Sequence, residues 1–334
     1  MQRKKIAIIG LGVMGSRHMR VVSGLTELFE LVGGYDQDEQ LKEEVCARYQ
    51  APALTSLEEA IELAEVVLIS TPTSTHFELA KQTIEAGRDL FVEKPLADTH
   101  ENCQKLIELQ KKHGVRMGVG HVERFNPVIQ WLRERLHQES LLSINIERVG
   151  PNPPQIKDVG IVTDLAVHDL DLIAFLSKAP LGRLSCVGSA EPSRHENVAQ
   201  IITTTDNGVV GSINTNWLTP FKSRQITIAT KEFFFQGDLL RGSGRVYSLL
   251  DTKASSYSVE EAIFFKKEPL VAQMEAFAGF LKGEETDTAS AEDGTQIVAW
   301  AESCLVDMER PHQDDEATPN TLEFASSEPL RTAA

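Results

Sequence analysis

The short apolar run Lys5-Ile6-Ala7-Ile8-Ile9 passes directly into Gly10-Leu11-Gly12-Val13-Met14-Gly15, and this junction restricts the fold more than any other stretch of the chain. An apolar run without polar alternation reads as a strand buried on both faces, and the residues from Ser16 to Leu28 have helical length. Strand, tight glycine turn and helix in that order form the opening of a dinucleotide-binding βαβ unit. Gly10 permits the sharp turn, Gly12 leaves room for a pyrophosphate at the helix N-terminus, and Gly15 lets helix and strand pack closely. Leu11 and Met14 lie in the same turn and are expected beside the cofactor.

A second apolar stretch, Glu30-Leu31-Val32-Gly33-Gly34-Tyr35-Asp36, ends in an acid at the distance from the glycines where such folds hold the adenosine ribose. The Asp36 carboxylate accepts hydrogen bonds from ribose hydroxyls and repels the extra phosphate of NADP, and Gln37 offers no cation to offset it. NAD is therefore the expected cofactor. Away from the glycine motif, Asp36 would read as an ordinary turn residue at a strand end.

Strand and helix keep alternating: Val66 to Ser70, a helix from about His76 to Ala86, Asp89 to Val92, a helix from about Asn102 to His113, and Val115 to Gly120. Repeated βα units imply a parallel sheet covered on both faces, with ligands beyond the carboxyl ends of its strands. Ser70-Thr71-Pro72-Thr73, Glu93-Lys94-Pro95 and Gly120-His121 all fall there, and Thr71, Pro72, His76, Glu93 and Lys94 join the expected cofactor site.

The second half changes character. Ser143 to Val149, Leu184 to Ala190, Val198 to Thr205, Val209 to Trp217, Arg224 to Thr230, Glu232 to Gln236 and Arg245 to Leu249 read as strands, with Asp206-Asn207-Gly208 as a hairpin turn. One helix, about Asp164 to Leu176, interrupts them, and helices at about Leu270 to Lys282 and Ala291 to Met308 follow. The expected fold is α/β: an N-terminal Rossmann doubly wound parallel sheet, then an α/β domain with a large open, mostly antiparallel sheet. Residues 1–122 form the NAD-binding domain, completed by the helix over 291–308, and 123–290 a substrate-binding and oligomerisation domain. A flexible tail covers 311–334. A bare apolar sheet face needs a cover, so a homodimer or homotetramer through the open sheet is expected.

Charge narrows the partners. With 33 Lys and Arg against 49 Asp and Glu, the formal charge of −16 argues against nucleic acid and anionic membranes, so an anionic ligand must find local cations. No apolar run is long enough to span a bilayer and the N-terminus carries no signal-peptide core, giving a cytoplasmic expectation. Cys46, Cys103, Cys186 and Cys304 have none of the paired spacings that hold zinc, so no metal is expected and the thiols read as reduced and isolated.

Asp164 and His168 are four apart on the interrupting helix and so share a face. A carboxylate beside an imidazole raises its basicity and fixes its tautomer, as a base removing a hydroxyl proton requires. Standing alone, the pair would read as an acid at a helix N-terminus and an incidental surface histidine. Lys94 would read as a solvated strand-end lysine, but its loop lies where a nicotinamide reaches. There a positive ring beside the ammonium favours proton exchange with a substrate hydroxyl.

Taken together, Gly10-x-Gly12-x-x-Gly15-x-x-His18, Thr71-Pro72 with His76, Glu93-Lys94-Pro95 and Asp164-x-x-x-His168 resemble the glucose-fructose oxidoreductase and inositol dehydrogenase (Gfo/Idh/MocA) family from about residue 3 to about residue 310. The resemblance implies catalytic roles for Lys94, Asp164 and His168. The stretch before Asp164, Asp158-Val159-Gly160-Ile161-Val162, departs from the family's usual glycine-rich pattern. With Gly120 to Pro127 and Asn216-Trp217-Leu218-Thr219-Pro220, it is most similar to the UDP-N-acetylglucosamine 3-dehydrogenase branch. That branch implies oxidation of a nucleotide sugar's 3-hydroxyl to a ketone, which a partner aminotransferase can convert to an amine for lipid A assembly.

Arg124, Arg148, Lys222 and Arg224 are the candidate cations for a substrate diphosphate, Arg124 and Arg148 ahead of the others, with Asn126 and Trp217 as further substrate contacts. Two other readings stay open: a dehydrogenase of a free polyol such as an inositol, and a nucleotide-binding protein without chemistry.

Overall fold

The computed structural model describes residues 3–136, 140–152, 159–190, 195–249, 251, 253–264 and 267–309; the expected tail over 311–334 lies outside them. Up to Gly120 the elements are β1 (Lys4–Ile9), α1 (Val13–Gly24), β2 (Phe29–Tyr35), α2 (Glu39–Arg48), α3 (Leu57–Leu63), β3 (Val66–Ile69), α4 (His76–Glu85), β4 (Asp89–Glu93), α5 (His100–His113) and β5 (Met117–Gly120). Beyond them come α6 (Pro127–Leu136), β6 (Leu141–Pro151), α7 (Val167–Ser177), β7 (Leu181–Ser189), β8 (Val198–Thr205), β9 (Val210–Asn216), β10 (Leu218–Thr230), β11 (Phe233–Asp238), β12 (Ser243–Ser248), β13 (Val259–Ile263), α8 (Pro269–Phe280), β14 (Ala289–Ser290) and α9 (Ala291–Glu309).

The first sheet has the order β14-β5-β4-β3-β1-β2, parallel throughout except for the edge pairing of β14 with β5. Ile6, Ile8, Val66, Val67, Leu68, Ile69, Phe91 and Val92 are buried because helices cover both faces, so these strands are apolar without alternation. The chain winds outward in both directions from the β1/β3 boundary, which leaves a crevice beyond the carboxyl ends of those two strands.

The second sheet has the order β13-β12-β11-β10-β6-β9-β8-β7, antiparallel except for the β6/β9 pair. Its strands alternate: in β8, Ala199 and Ile201 point into the core while Gln200 and Ile202 face outward. One face packs on α7, with Leu170 and Ile173 in the same core as Ile144, Ile213 and Ile226. Each such side chain contributes roughly 1.5–3 kcal/mol on full burial.

The two C-terminal helices tie the halves together. Leu270, Met274 and Phe277 of α8 share a core with Ile6, Leu68 and Phe91, so this helix covers the first sheet. The sequence reading had placed it with residues 123–290; burial decides otherwise, because both faces of a parallel sheet need a cover and α8 supplies one. Helix α9 touches both halves: Gly294 fits against Leu96 and Val119, while Cys304 meets Cys186 on β7. The four thiols are free and buried, but Cys186 and Cys304 are neighbours rather than isolated.

Candidate active site

A cleft of about 770 Å³ opens in the crevice and is lined by Gly10, Gly12, Met14, Asp36, Thr71, Pro72, Glu93 and Lys94 among others. Its glycines divide the labour. Gly10 has φ +84°, and a Cβ there would lie 2.7 Å from the Ser70 backbone. A Cβ on Gly15 would lie 1.8 Å from the Gly10 carbonyl oxygen, whereas one on Gly12 would meet nothing within 4 Å. Helix α1 starts at Gly12 with no side-chain cap and no acid in its first turn. Its free N–H groups and open approach fit a pyrophosphate.

The Asp36 carboxylate accepts from the Leu11 N–H at 2.7 Å and the Asp38 N–H at 2.9 Å, which fixes it at the cleft wall with further lone pairs for ribose hydroxyls. Leu11, Gly15 and His76 act from behind the lining. His76 is buried, with Nδ1 2.8 Å from the Pro95 carbonyl and Nε2 2.9 Å from the Thr71 carbonyl, so one ring braces two of the loops. Burial pushes its pKa below the ordinary 6.5. The sequence reading missed Tyr35, Ser74 and Thr75 in the lining, of which the last two lie on the turn after Pro72.

At the end of β4, Glu93 is buried and anchors its neighbours. Its Oε1 lies 2.6 Å from His18 Nε2 on α1, and its Oε2 accepts from the Lys94 N–H at 3.2 Å. Burial raises the carboxyl's pKa, but His18 and Lys94 together outweigh it and hold the group below its ordinary value. The Lys94 side chain crosses to the second half of the molecule, where Nζ donates to the Asp164 carbonyl at 2.8 Å and to Asp164 Oδ1 at 3.0 Å.

Asp164 does not belong to a regular α-helix. Val162–Ala166 form a single π turn ahead of α7, a widening that recurs at functional sites. The structure corrects the expectation that Asp164 raises the basicity of His168, because Lys94 takes the carboxylate. The imidazole, with Nδ1 buried and lacking a hydrogen-bond partner among the described residues, has its pKa pushed well below 6.5 by burial, then by Lys94, Arg148, His121 and Arg224. His168 is therefore a neutral ring in a positive surround.

The two favoured cations are also corrected. Arg124 donates from Nε and Nη2 to Asp171 and from Nη1 to Asp293 at 3.2 Å, and Arg148 donates to Asp169 at 2.8 Å and to Glu123 at 3.0 Å. Both guanidinium groups are buried and held protonated by these carboxylates against the cost of burial. Neither is free to meet a diphosphate. Asn126 is also internal: Oδ1 accepts from the Val128 N–H at 3.1 Å and Nδ2 donates to the Leu239 carbonyl at 3.1 Å. Trp217 is buried with an Nε1–H that has no partner among the described residues. The acids Glu123, Asp169 and Asp171 went unassigned in the sequence reading. Asp169 and Asp171 follow His168 on a helix otherwise rich in Leu, where buried acids require cationic partners.

Comparison with known proteins agrees with this architecture. Residues 4–121 match the model of an oxidoreductase family with an NAD-binding Rossmann fold, and residues 144–233 match the GFO/IDH/MocA C-terminal domain. The chain is 26% identical over 314 residues to UDP-N-acetylglucosamine 3-dehydrogenase of Acidithiobacillus ferrooxidans, covering 91% of this chain and 97% of the relative. A solved structure of that enzyme superposes with a TM-score of 0.85 at 25% identity, covering 92% of this chain and 99% of the other. An inositol 2-dehydrogenase of Saccharopolyspora erythraea is 27% identical over 223 residues, 61% of this chain and 64% of the relative. Levoglucosan dehydrogenase in complex with NADH and levoglucosan shares the fold, with a TM-score of 0.82 at 18% identity over 92% of this chain and 97% of the other.

Proposed function

The chain belongs to the GFO/IDH/MocA oxidoreductase family and is an NAD-dependent sugar dehydrogenase, and from that premise we propose that it oxidises the 3-hydroxyl of a UDP-sugar, UDP-N-acetylglucosamine foremost, to the 3-keto sugar. The observation that carries the chemistry is the Lys94–Asp164 contact, which joins the end of the nucleotide cleft to the helix of His168. The near full-length similarity to the Acidithiobacillus enzyme supports the nucleotide sugar over a free polyol.

When bound, NAD⁺ would supply the hydride acceptor. Gly10, Gly12 and the uncapped start of α1 would hold its pyrophosphate, and Asp36 its ribose. Neutral His168 accepts the hydroxyl proton, since an imidazole kept unprotonated has a lone pair ready at neutral pH. Lys94 donates a hydrogen bond to the oxygen as it becomes a carbonyl, and Asp164 orients that ammonium.

The 3-keto product is the kind of substrate an aminotransferase takes, as in lipid A amino-sugar synthesis, so functional coupling to such an enzyme is part of this reading. No described helix is long and apolar enough to cross a membrane, which accords with a cytoplasmic enzyme. Exposed Val187, Ile202, Val210 and Phe234 on the outer face of the large sheet support a homodimer or homotetramer through it. The test is to incubate the protein with NAD⁺, a set of UDP-sugars and a carbonyl trap. NADH formation with UDP-N-acetylglucosamine is expected, and turnover of inositol alone would favour the polyol reading that the partial inositol dehydrogenase similarity supports.

A further inference from the structure

With Arg124 and Arg148 engaged internally, the question is which cations face an anionic substrate. Arg148 on β6 and Arg224 on β10 are direct cross-strand partners in register. Like charges placed opposite one another on a sheet face repel. One atom relieves this pair: Glu123 Oε1 accepts from Arg148 Nη1 at 3.0 Å and from Arg224 Nη1 at 2.8 Å. Arg148 has Asp169 as well, but among the described residues Arg224 has only its share of Glu123.

The two arginines also differ in exposure. The Arg148 side chain is 2% exposed and that of Arg224 33%, and Arg224 Nε and Nη2 have no hydrogen-bond partner among the described residues. Through Glu123 and Arg148 it is linked to Asp169, the residue after His168 on α7, which sets Arg224 on the His168 side of the sheet. Two residues earlier on β10, in the stretch where that strand shifts register against β6, stands Lys222. It is exposed, has no ion-pair partner among the described residues, and lies against Gly150, where a Cβ would come within 3.1 Å of Lys222 Cγ.

We propose that Lys222 and Arg224 together hold the diphosphate of the nucleotide-sugar substrate, the glycine opposite leaving space for the lysine stem. The assignment rests on the UDP-sugar reading and names its specificity-determining residues. In a chain of formal charge −16, two under-compensated cations two residues apart on one strand form a local anion site. Glu123 holds Arg224 by one end so that its remaining N–H groups face the ligand in a fixed orientation, which lowers the entropy cost of binding.

The test is titration of the NAD⁺-saturated enzyme with UDP and with uridine, the difference between them isolating the diphosphate. The wild type is expected to prefer UDP, and Lys222→Gln and Arg224→Gln are each expected to cut that preference on the order of tenfold, the value of one charge-assisted hydrogen bond. The dissociation constant for NAD⁺ stays unchanged. An unchanged preference in both variants, with UDP-N-acetylglucosamine still reducing NAD⁺, overturns the diphosphate site and leaves the functional reading intact. A wild type that binds UDP no better than uridine and turns over only a free polyol overturns both. Should Arg224→Gln unfold by disturbing the Glu123–Arg148 pair, the exposed Lys222 variant decides alone.

Discussion

Lys94 Nζ lies 3.0 Å from Asp164 Oδ1, a contact 70 residues apart in sequence that closes the nucleotide cleft against the second sheet's helix. Removing either end is expected to affect chemistry more than cofactor binding. Lys94→Ala lowers turnover by about 10²-fold or more, while NAD⁺ titration gives an unchanged dissociation constant. Asp164→Asn retains the carbonyl acceptor at 2.8 Å and so loses less than Lys94→Ala, read as single-turnover rates.

The pH profile reports His168. Because its pKa lies below the ordinary 6.5, the ring stays unprotonated and competent as pH falls through that value, and the acid limb of kcat/KM appears below pH 6.5. His168→Gln abolishes that limb along with most of the turnover. A limb centred above pH 6.5 in the wild type would contradict the assignment.

Stability follows the same sign. His76, His121 and His168 have folded-state pKa values below their unfolded value of 6.5, so the unfolded chain binds more protons in acid. Their contribution is fully present above pH 6.5 and is lost as pH falls from 6.5 toward the depressed folded values. Melting temperature measured from pH 7.5 to pH 5 should drop, and the drop should be shallower in His168→Gln.

Two glycine variants separate folding from cofactor binding. Gly15→Ala forces a Cβ to within 1.8 Å of a backbone oxygen and should lower the melting temperature severely. Gly12→Ala meets open space at a φ of −58°, so the fold survives while NAD⁺ affinity falls about tenfold or more because the methyl occupies the pyrophosphate's approach. In the same cleft, Asp36→Ser should narrow the preference for NAD over NADP, measured as the ratio of dissociation constants.

Arg124→Ala tests the correction made above. A surface cation for substrate would change KM alone, whereas a buried guanidinium shared by Asp171 and Asp293 leaves Asp171 unpaired, at a cost of about 3–5 kcal/mol in denaturant unfolding.

The local signals in the sequence were strong wherever one short segment carried the whole physical requirement. The run from Lys5 to Gly15 contains its own strand, turn and helix start, and β8, between Val198 and Thr205, fell where its run of Ile and Thr put it. Helices α2 and α3 were not singled out, since each buries only two or three side chains and so leaves a faint periodicity. The strand β13 is exposed except at half-buried Ala262, and its sequence, Val259-Glu260-Glu261-Ala262-Ile263, lacks a clear apolar face.

By itself the sequence determined the glycine turn, the acid at Asp36, the Lys94 loop and the order of strands and helices, because each depends on residues close in the chain. Only the tertiary structure decided how charges were shared. Lys94 rather than His168 took Asp164, Asp169 and Asp171 took the arginines meant for substrate, and Arg224 was left partly free. Pairing in a low-dielectric interior depends on which groups folding brings within a few ångströms, and the cost of burying an unpaired charge makes those pairings obligatory.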